Sequence, residues 1–178
     1  MDSLSPSRIW TMRVVYVGLS LTILFFQLLP LDTLPRFWAG PDLLIALTLA
    51  WALRRPDYVP MLLIALVMLL ADMLLLRPPG LLSALSVAAT MFLRNRMSGQ
   101  GETGFVGEWI SVSMLLVGLA LSYRLALTLT AVERAPFFLS ATQMLLTIGF
   151  YPLVVAVSQT LFGVRRLAPI DAEALGAR

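Results

Sequence analysis

Two ionisable residues stand inside otherwise apolar runs: Asp72 in Tyr58–Leu76 and Arg124 in Trp109–Leu129. If those runs cross a membrane, each charge costs about 2.5–3.5 kcal/mol near a helix centre, and more if it is isolated. Such groups turn toward a bundle interior or a cavity and seek partners. Asp42 opens the second apolar run, Gln27 lies near the end of the first, and Gln143 lies in the first half of the last. With successive runs crossing in alternate directions, all five polar groups reach the same leaflet. The expectation is an intramembrane polar cluster centred on Asp72 and Arg124, with Asp42 adjacent. Opposite charges there would satisfy each other. The cluster could pin helix packing, coordinate a ligand or ion, or dock a partner. Asp42 also has a simpler reading, as a carboxylate that complements the dipole of the helix it opens.

The chain holds no histidine and no cysteine. That excludes disulfides, thiolate chemistry, histidine ligation of zinc or haem, and Ser-His or Cys-His catalysis. Two aspartates can form an acid–base pair, but Asp42 and Asp72 lack accompanying catalytic motifs, and nearby Arg124 argues for an ion pair instead. The stretch Arg94–Glu108 contains Gly99, Gly101, Gly104 and Gly107, yet no strand precedes it and no Lys-Ser/Thr follows. It reads as a connector rather than a phosphate loop. No enzymatic activity, cofactor or metal is expected. All 13 basic residues are arginines; they cluster at the ends of apolar runs, which fits head-group contact rather than nucleic-acid binding.

The elements that must position these residues follow from composition. Of 178 residues, 59% are hydrophobic and 13% charged, against about 25% charged in ordinary soluble domains. A soluble fold of this size could not hide so much apolar surface. Six apolar segments run over Ile9–Leu29, Asp42–Leu53, Tyr58–Leu76, Leu81–Leu93, Trp109–Leu129 and Phe137–Phe162. A crossing takes about 20 helical residues, so the second and fourth segments, at about 18–20 Å, are short. Arg8 and Arg13 before Val14–Leu29 resemble a signal sequence, but no small-residue cleavage site follows, so the segment reads as an uncleaved first helix.

Charge favours six crossings. With both ends inside, Arg8, Arg13, Arg54, Arg55, Arg94, Arg96, Arg165, Arg166 and Arg178 lie inside, and only Arg36, Arg77 and Arg134 lie outside. This fits the positive-inside rule. Trp10, Trp51, Tyr58 and Trp109 then fall at inner helix ends and Trp38 in an outer loop, as interfacial aromatics do. Pro78-Pro79-Gly80 predicts a tight turn, and Pro152 predicts a kink near Ile148, whose carbonyl loses its helical partner. Small-residue pairs at Ala46/Ala50, Ala84/Ala88 and Gly118/Ser122 are expected to pack helices within the bundle. The fold class is therefore an all-α integral membrane protein. Residues 1–162 form one six-helix transmembrane domain with cytoplasmic termini, and residues 163–178 form a short cytoplasmic tail. The long and short segments do not match between halves, which argues against an inverted-repeat transporter.

Particular residues carry a family resemblance. Gly40-Pro41-Asp42-Leu43-Leu44 resembles the Pro-Asp-Leu helix start of MreD proteins. Asp72-Met73-Leu74, followed by Pro78-Pro79-Gly80-Leu81, is similar to their Asp-x-Leu … Pro-x-Gly signature. The connector Trp51–Pro60 also resembles that of proteobacterial members. The similarity covers roughly residues 30–95. Many relatives carry a glycine just before the aspartate, where this chain has Ala71. The resemblance implies a fold similar to the substrate-binding subunits of energy-coupling-factor vitamin transporters. It also implies a non-enzymatic role in the bacterial cell-elongation machinery that directs side-wall peptidoglycan synthesis and maintains cell shape. The implied partners are MreC most directly, RodA with a class B penicillin-binding transpeptidase, and MreB and RodZ, all at the cell inner membrane. Its motif positions are Pro41, Asp42, Asp72, Pro78 and Gly80.

Two functions remain open at this point. One is a membrane scaffold of the elongation complex, read by partners within the bilayer because the loops are so short. The other is a small-molecule-binding membrane subunit of a transporter. A sealed, side-chain-filled polar cluster would remove the second, whereas a pocket of roughly several hundred Å³ would favour it.

Overall fold

The computed structural model describes residues 5–29, 39–98, 104–130 and 136–164. They form six helices: α1 Pro6–Leu28, α2 Leu43–Arg54, α3 Met61–Leu74, α4 Leu81–Ser98, α5 Phe105–Leu129 and α6 Phe137–Phe162. Helices α1, α5 and α6 are long and apolar enough to cross a membrane, and α2 and α3 are shorter apolar helices. The regular structure among the described residues is thus all helical, with the marks of a membrane protein.

Side-chain contacts fix how the helices run. Arg13 reaches the Asp57 carbonyl while Tyr16 meets Thr48, so α1 and α2 are antiparallel. Asp42 meets Thr147 and Trp51 meets Ser158, so α2 and α6 run parallel. Arg124 with Ser140, and Trp109 with Ile148, make α5 and α6 antiparallel. Ser83 bonds to both Ala65 and Asp72 across α3 and α4. Direction therefore alternates along the chain, and Pro6 and Phe162 lie at the same end.

Helix α2 is the hub, touching α1, α4 and α6. All its residues except Leu43 and Leu53 are buried, as expected for a helix that is apolar on every side. Its shortness is explained by this burial: neighbouring helices, not lipid, solvate its flanks. The outer helices do the reverse. Ile110, Met114, Val117, Leu121 and Leu125 make an exposed apolar stripe along α5, and Leu62, Leu66, Leu69 and Met73 make one along α3. Continuous exposed apolar stripes of this kind mark contact with lipid or protein.

Several boundaries differ from the sequence expectation. Helix α3 starts at Met61 rather than Tyr58, because Pro60 keeps Val59 out of helical geometry. Helix α4 continues five residues past Leu93, and α5 begins four before Trp109. Apolar runs mark where lipid-facing surface ends, whereas helical hydrogen bonding continues through Arg94, Asn95 and Arg96 at little propensity cost. The Pro78–Gly80 turn forms as expected. Leu81 N–H bonds to the Pro78 carbonyl at 3.2 Å, and Gly80 sits at φ +84°, a conformation open to glycine. Just before it, α3 closes with Leu76 in the left-handed region at φ +54°. Arg77 N–H bonds back to the Asp72 carbonyl and Leu76 N–H to that of Met73, the Schellman pattern with leucine where glycine is usual.

Helix α6 passes through Pro152 without a break. The carbonyl freed by the proline is that of Ile148, as expected, and the Trp109 indole N–H occupies it at 3.0 Å. Two other expectations are corrected. Trp51 and Tyr58 are buried core residues rather than interfacial anchors. The Trp51 ring packs against Tyr16 and Phe162, and its N–H bonds to Ser158. Trp10 is exposed, as an interfacial residue would be, and Trp38 lies outside the described residues. Of the small-residue pairs, only Ala46/Ala50 packs inside; Ala84/Ala88 and Gly118/Ser122 face outward.

Candidate functional site

Two polar centres form, one at each end of the helices. The first opens where α2, α4 and α6 begin and α3 and α5 end. A partly open cavity of about 420 Å³ lies there. Asp42, Arg77, Tyr123, Arg124, Ser140, Gln143 and Thr147 are its polar lining, and Ile45, Leu82, Leu116, Leu119 and Met144 are among its apolar walls.

Each polar residue is held by its own element. Asp42 is the N-cap of α2; its Oδ1 accepts Ile45 N–H at 3.2 Å, satisfying one orphan donor of the helix start. Its own N–H bonds to Thr147 Oγ1 at 2.8 Å, and its Oδ2 lies 3.7 Å from Arg77 Nη1. That ion pair is long and partly exposed, so it contributes little. Arg124 donates from Nη1 to Ser140 Oγ at 2.9 Å, and its guanidinium stacks over Phe137 at 5.2 Å. The side chains of Tyr123 and Gln143 make no hydrogen bond among the described residues.

The expected cluster is thus assembled in part, with different pairing. Asp42, Arg124 and Gln143 meet at the cavity, joined by Arg77, Tyr123 and Ser140. The expected Asp72–Arg124 pair is replaced. Asp72 is fully buried between α3 and α4, and its Oδ2 accepts Ser83 N–H at 3.1 Å. It satisfies one of the orphan donors in the first turn of α4, from a neighbouring helix. Its Oδ1 is buried without a hydrogen-bond partner, as is Ser86 Oγ on α4. Gln27 is half-buried on α1 and does not line the cavity. Position along the helix axes brings Asp42, Arg124 and Gln143 to one end of the helices. Rotation about each helix axis decides which of them touch, and sequence spacing did not resolve it.

The second centre, at the opposite end, was not anticipated. Arg54 Nε and Nη2 each bond a Glu108 oxygen at 3.1 Å, a forked pair with side chains 4% and 1% exposed. Tyr151 OH donates to Glu108 Oε1 at 2.8 Å. Nearby, Arg94 donates to the carbonyls of Ala52 and Val59, and Arg13 donates twice to that of Asp57. Three arginines therefore hold the α2–α3 turn and the foot of α5. A signal did exist in the sequence: a basic residue in the last turn of one helix and an acid in the first turn of another, both assigned to the same end.

Together these features define a helical membrane protein with a charge-sealed end and a cavity-bearing end. No family model matches the chain, and neither a curated protein nor a solved structure matches it.

Proposed function

We propose that this protein is a non-enzymatic membrane scaffold of the MreD type. Its six helices all cross the inner membrane, both termini face the cytoplasm, and it supports the bacterial elongation complex by binding MreC. The observation that carries this reading is the use to which the motif residues are put. Asp42 caps α2 and approaches Arg77; Asp72 caps α4; Gly80 makes the turn between α3 and α4. Residues spread over forty positions thus serve one purpose, locking helix ends together, which suits a rigid scaffold. Short connections leave little for a partner to grip outside the bilayer. Within it, Gly118 and Ser122 present a small-residue face, and a Cβ added at Gly118 would meet nothing within 4 Å. Faces of this kind admit close approach of another helix, such as the membrane helix of MreC.

Affinity purification of the tagged protein from mild detergent, followed by mass spectrometry, tests this. Recovery of MreC, with or without RodA and its transpeptidase, supports the scaffold. Recovery of an ATPase module instead overturns it. Gly118→Leu is expected to leave the fold intact and reduce MreC recovery.

The cavity favours a second reading, a small-molecule-binding membrane subunit. Its volume lies within the range of ligand sites, roughly 300–1,000 Å³, and apolar walls with a few convergent polar groups are typical of them.

A further inference from the structure

The cavity carries a chemical bias. Two guanidinium groups, those of Arg77 and Arg124, line it against the single carboxylate of Asp42. That carboxylate is already engaged by Ile45 N–H and the Arg77 contact. Charged groups kept at membrane depth face cavities and mark ligand paths. Neutral hydrogen-bonding capacity is added by Tyr123 OH and the Gln143 amide, neither of which has a partner among the described residues. Apart from the Ser140 and Thr147 hydroxyls, the remaining wall is apolar. Leu76 extends that apolar character to the rim: it is 94% exposed, lines the cavity and is held at φ +54°.

We propose that this cavity binds an amphipathic anion, with a phosphate-type head group against Arg77 and Arg124 and an apolar body along Ile45, Leu82, Leu116 and Leu119. The proposal deepens the second reading above and does not depend on the scaffold. Arginine suits such a head group because its planar fork matches phosphate oxygens. The apolar body follows from the walls, which offer a bare inorganic anion nothing to bind. The anion could reach the site as a membrane lipid or as a water-borne amphiphile, and both carry the same chemistry.

The test uses the full chain in detergent micelles doped equally with phosphatidylglycerol and phosphatidylcholine, read by native mass spectrometry. Octyl phosphate and inorganic phosphate are assayed separately by thermal shift. Selective retention of one phosphatidylglycerol supports the proposal with a lipid as the source. A thermal shift with octyl phosphate but no retained lipid supports it with a water-borne source. Arg124→Gln should weaken binding about tenfold or more, the scale of one charge-assisted hydrogen bond. Ala120→Phe, which fills the cavity without altering charge, should weaken it as well. The two variants act by different routes, and their helicity is checked by circular dichroism. Equal retention of both lipids would overturn the anionic head group while leaving a ligand-binding subunit standing. Response to inorganic phosphate alone would overturn the apolar body. Binding indifferent to both variants would overturn the site, and no binding by any probe would overturn the amphipathic anion while leaving the second reading to ligands of other chemistry.

Discussion

Glu108 shows how much can rest on one side chain in an apolar surround. Its carboxylate answers Arg54 through two bonds and Tyr151 through a third. Removing one member of a buried pair leaves an uncompensated charge, at a cost of about 3–5 kcal/mol, whereas replacing both members with apolar residues is often neutral. Glu108→Ala is therefore expected to lower thermal stability in detergent sharply. The double variant Arg54→Met/Glu108→Leu should recover most of the loss, less what the stranded Tyr151 hydroxyl costs. Asp72 poses a smaller question of the same kind. Asp72→Ala removes the acceptor for Ser83 N–H and should destabilise by about 0.5–2 kcal/mol. Asp72→Asn keeps an acceptor oxygen and should lose less, as urea or thermal unfolding of the two variants would show. The residue types were legible in the sequence, and their partners were not. Arg54 and Glu108 lie far apart in the chain, and Asp72 was matched to Arg124 on depth alone, although the Ser83 amide one helix away holds it.

At the scale of elements, the apolar runs gave the existence of all six helices, and punctuation gave the turn at Pro78–Gly80 and the start of α2 at Asp42. Ends set by hydrogen bonding rather than by hydrophobicity were missed. Helix α4 runs on to Ser98, and Pro60 delays α3. Helix α6 shows how a defect in one element is repaired by another. Pro152 strips the Ile148 carbonyl of its helical partner, and the Trp109 indole of α5 replaces it. Trp109→Phe should then destabilise by about 0.5–1.5 kcal/mol, the scale of one lost hydrogen bond at a part-buried acceptor. In a Pro152→Ala background the backbone N–H is restored, and the same substitution should cost less. A double-mutant cycle on unfolding free energy measures the difference as a coupling between the two positions.

At the scale of the whole molecule, alternating helices bring Arg8, Arg13, Arg54, Arg55, Arg94 and Arg96 to the end that holds the Glu108 pair, and leave Arg77 and Arg124 at the cavity end. In the scaffold and ligand-binding readings alike, the arginine-rich end faces the cytoplasm, where positive charge accumulates, and the cavity faces outward. The scaffold reading depends on that orientation. Because the chain has no cysteine, single cysteines can report it directly. Pro79, in the turn between α3 and α4, and Arg96, near the end of α4, are both exposed. Pro79→Cys should react with a membrane-impermeant maleimide added from the periplasmic side of intact inner membrane, and Arg96→Cys should react only after that membrane is opened. Labelling of both from one side, or of Arg96→Cys alone, would contradict the arrangement.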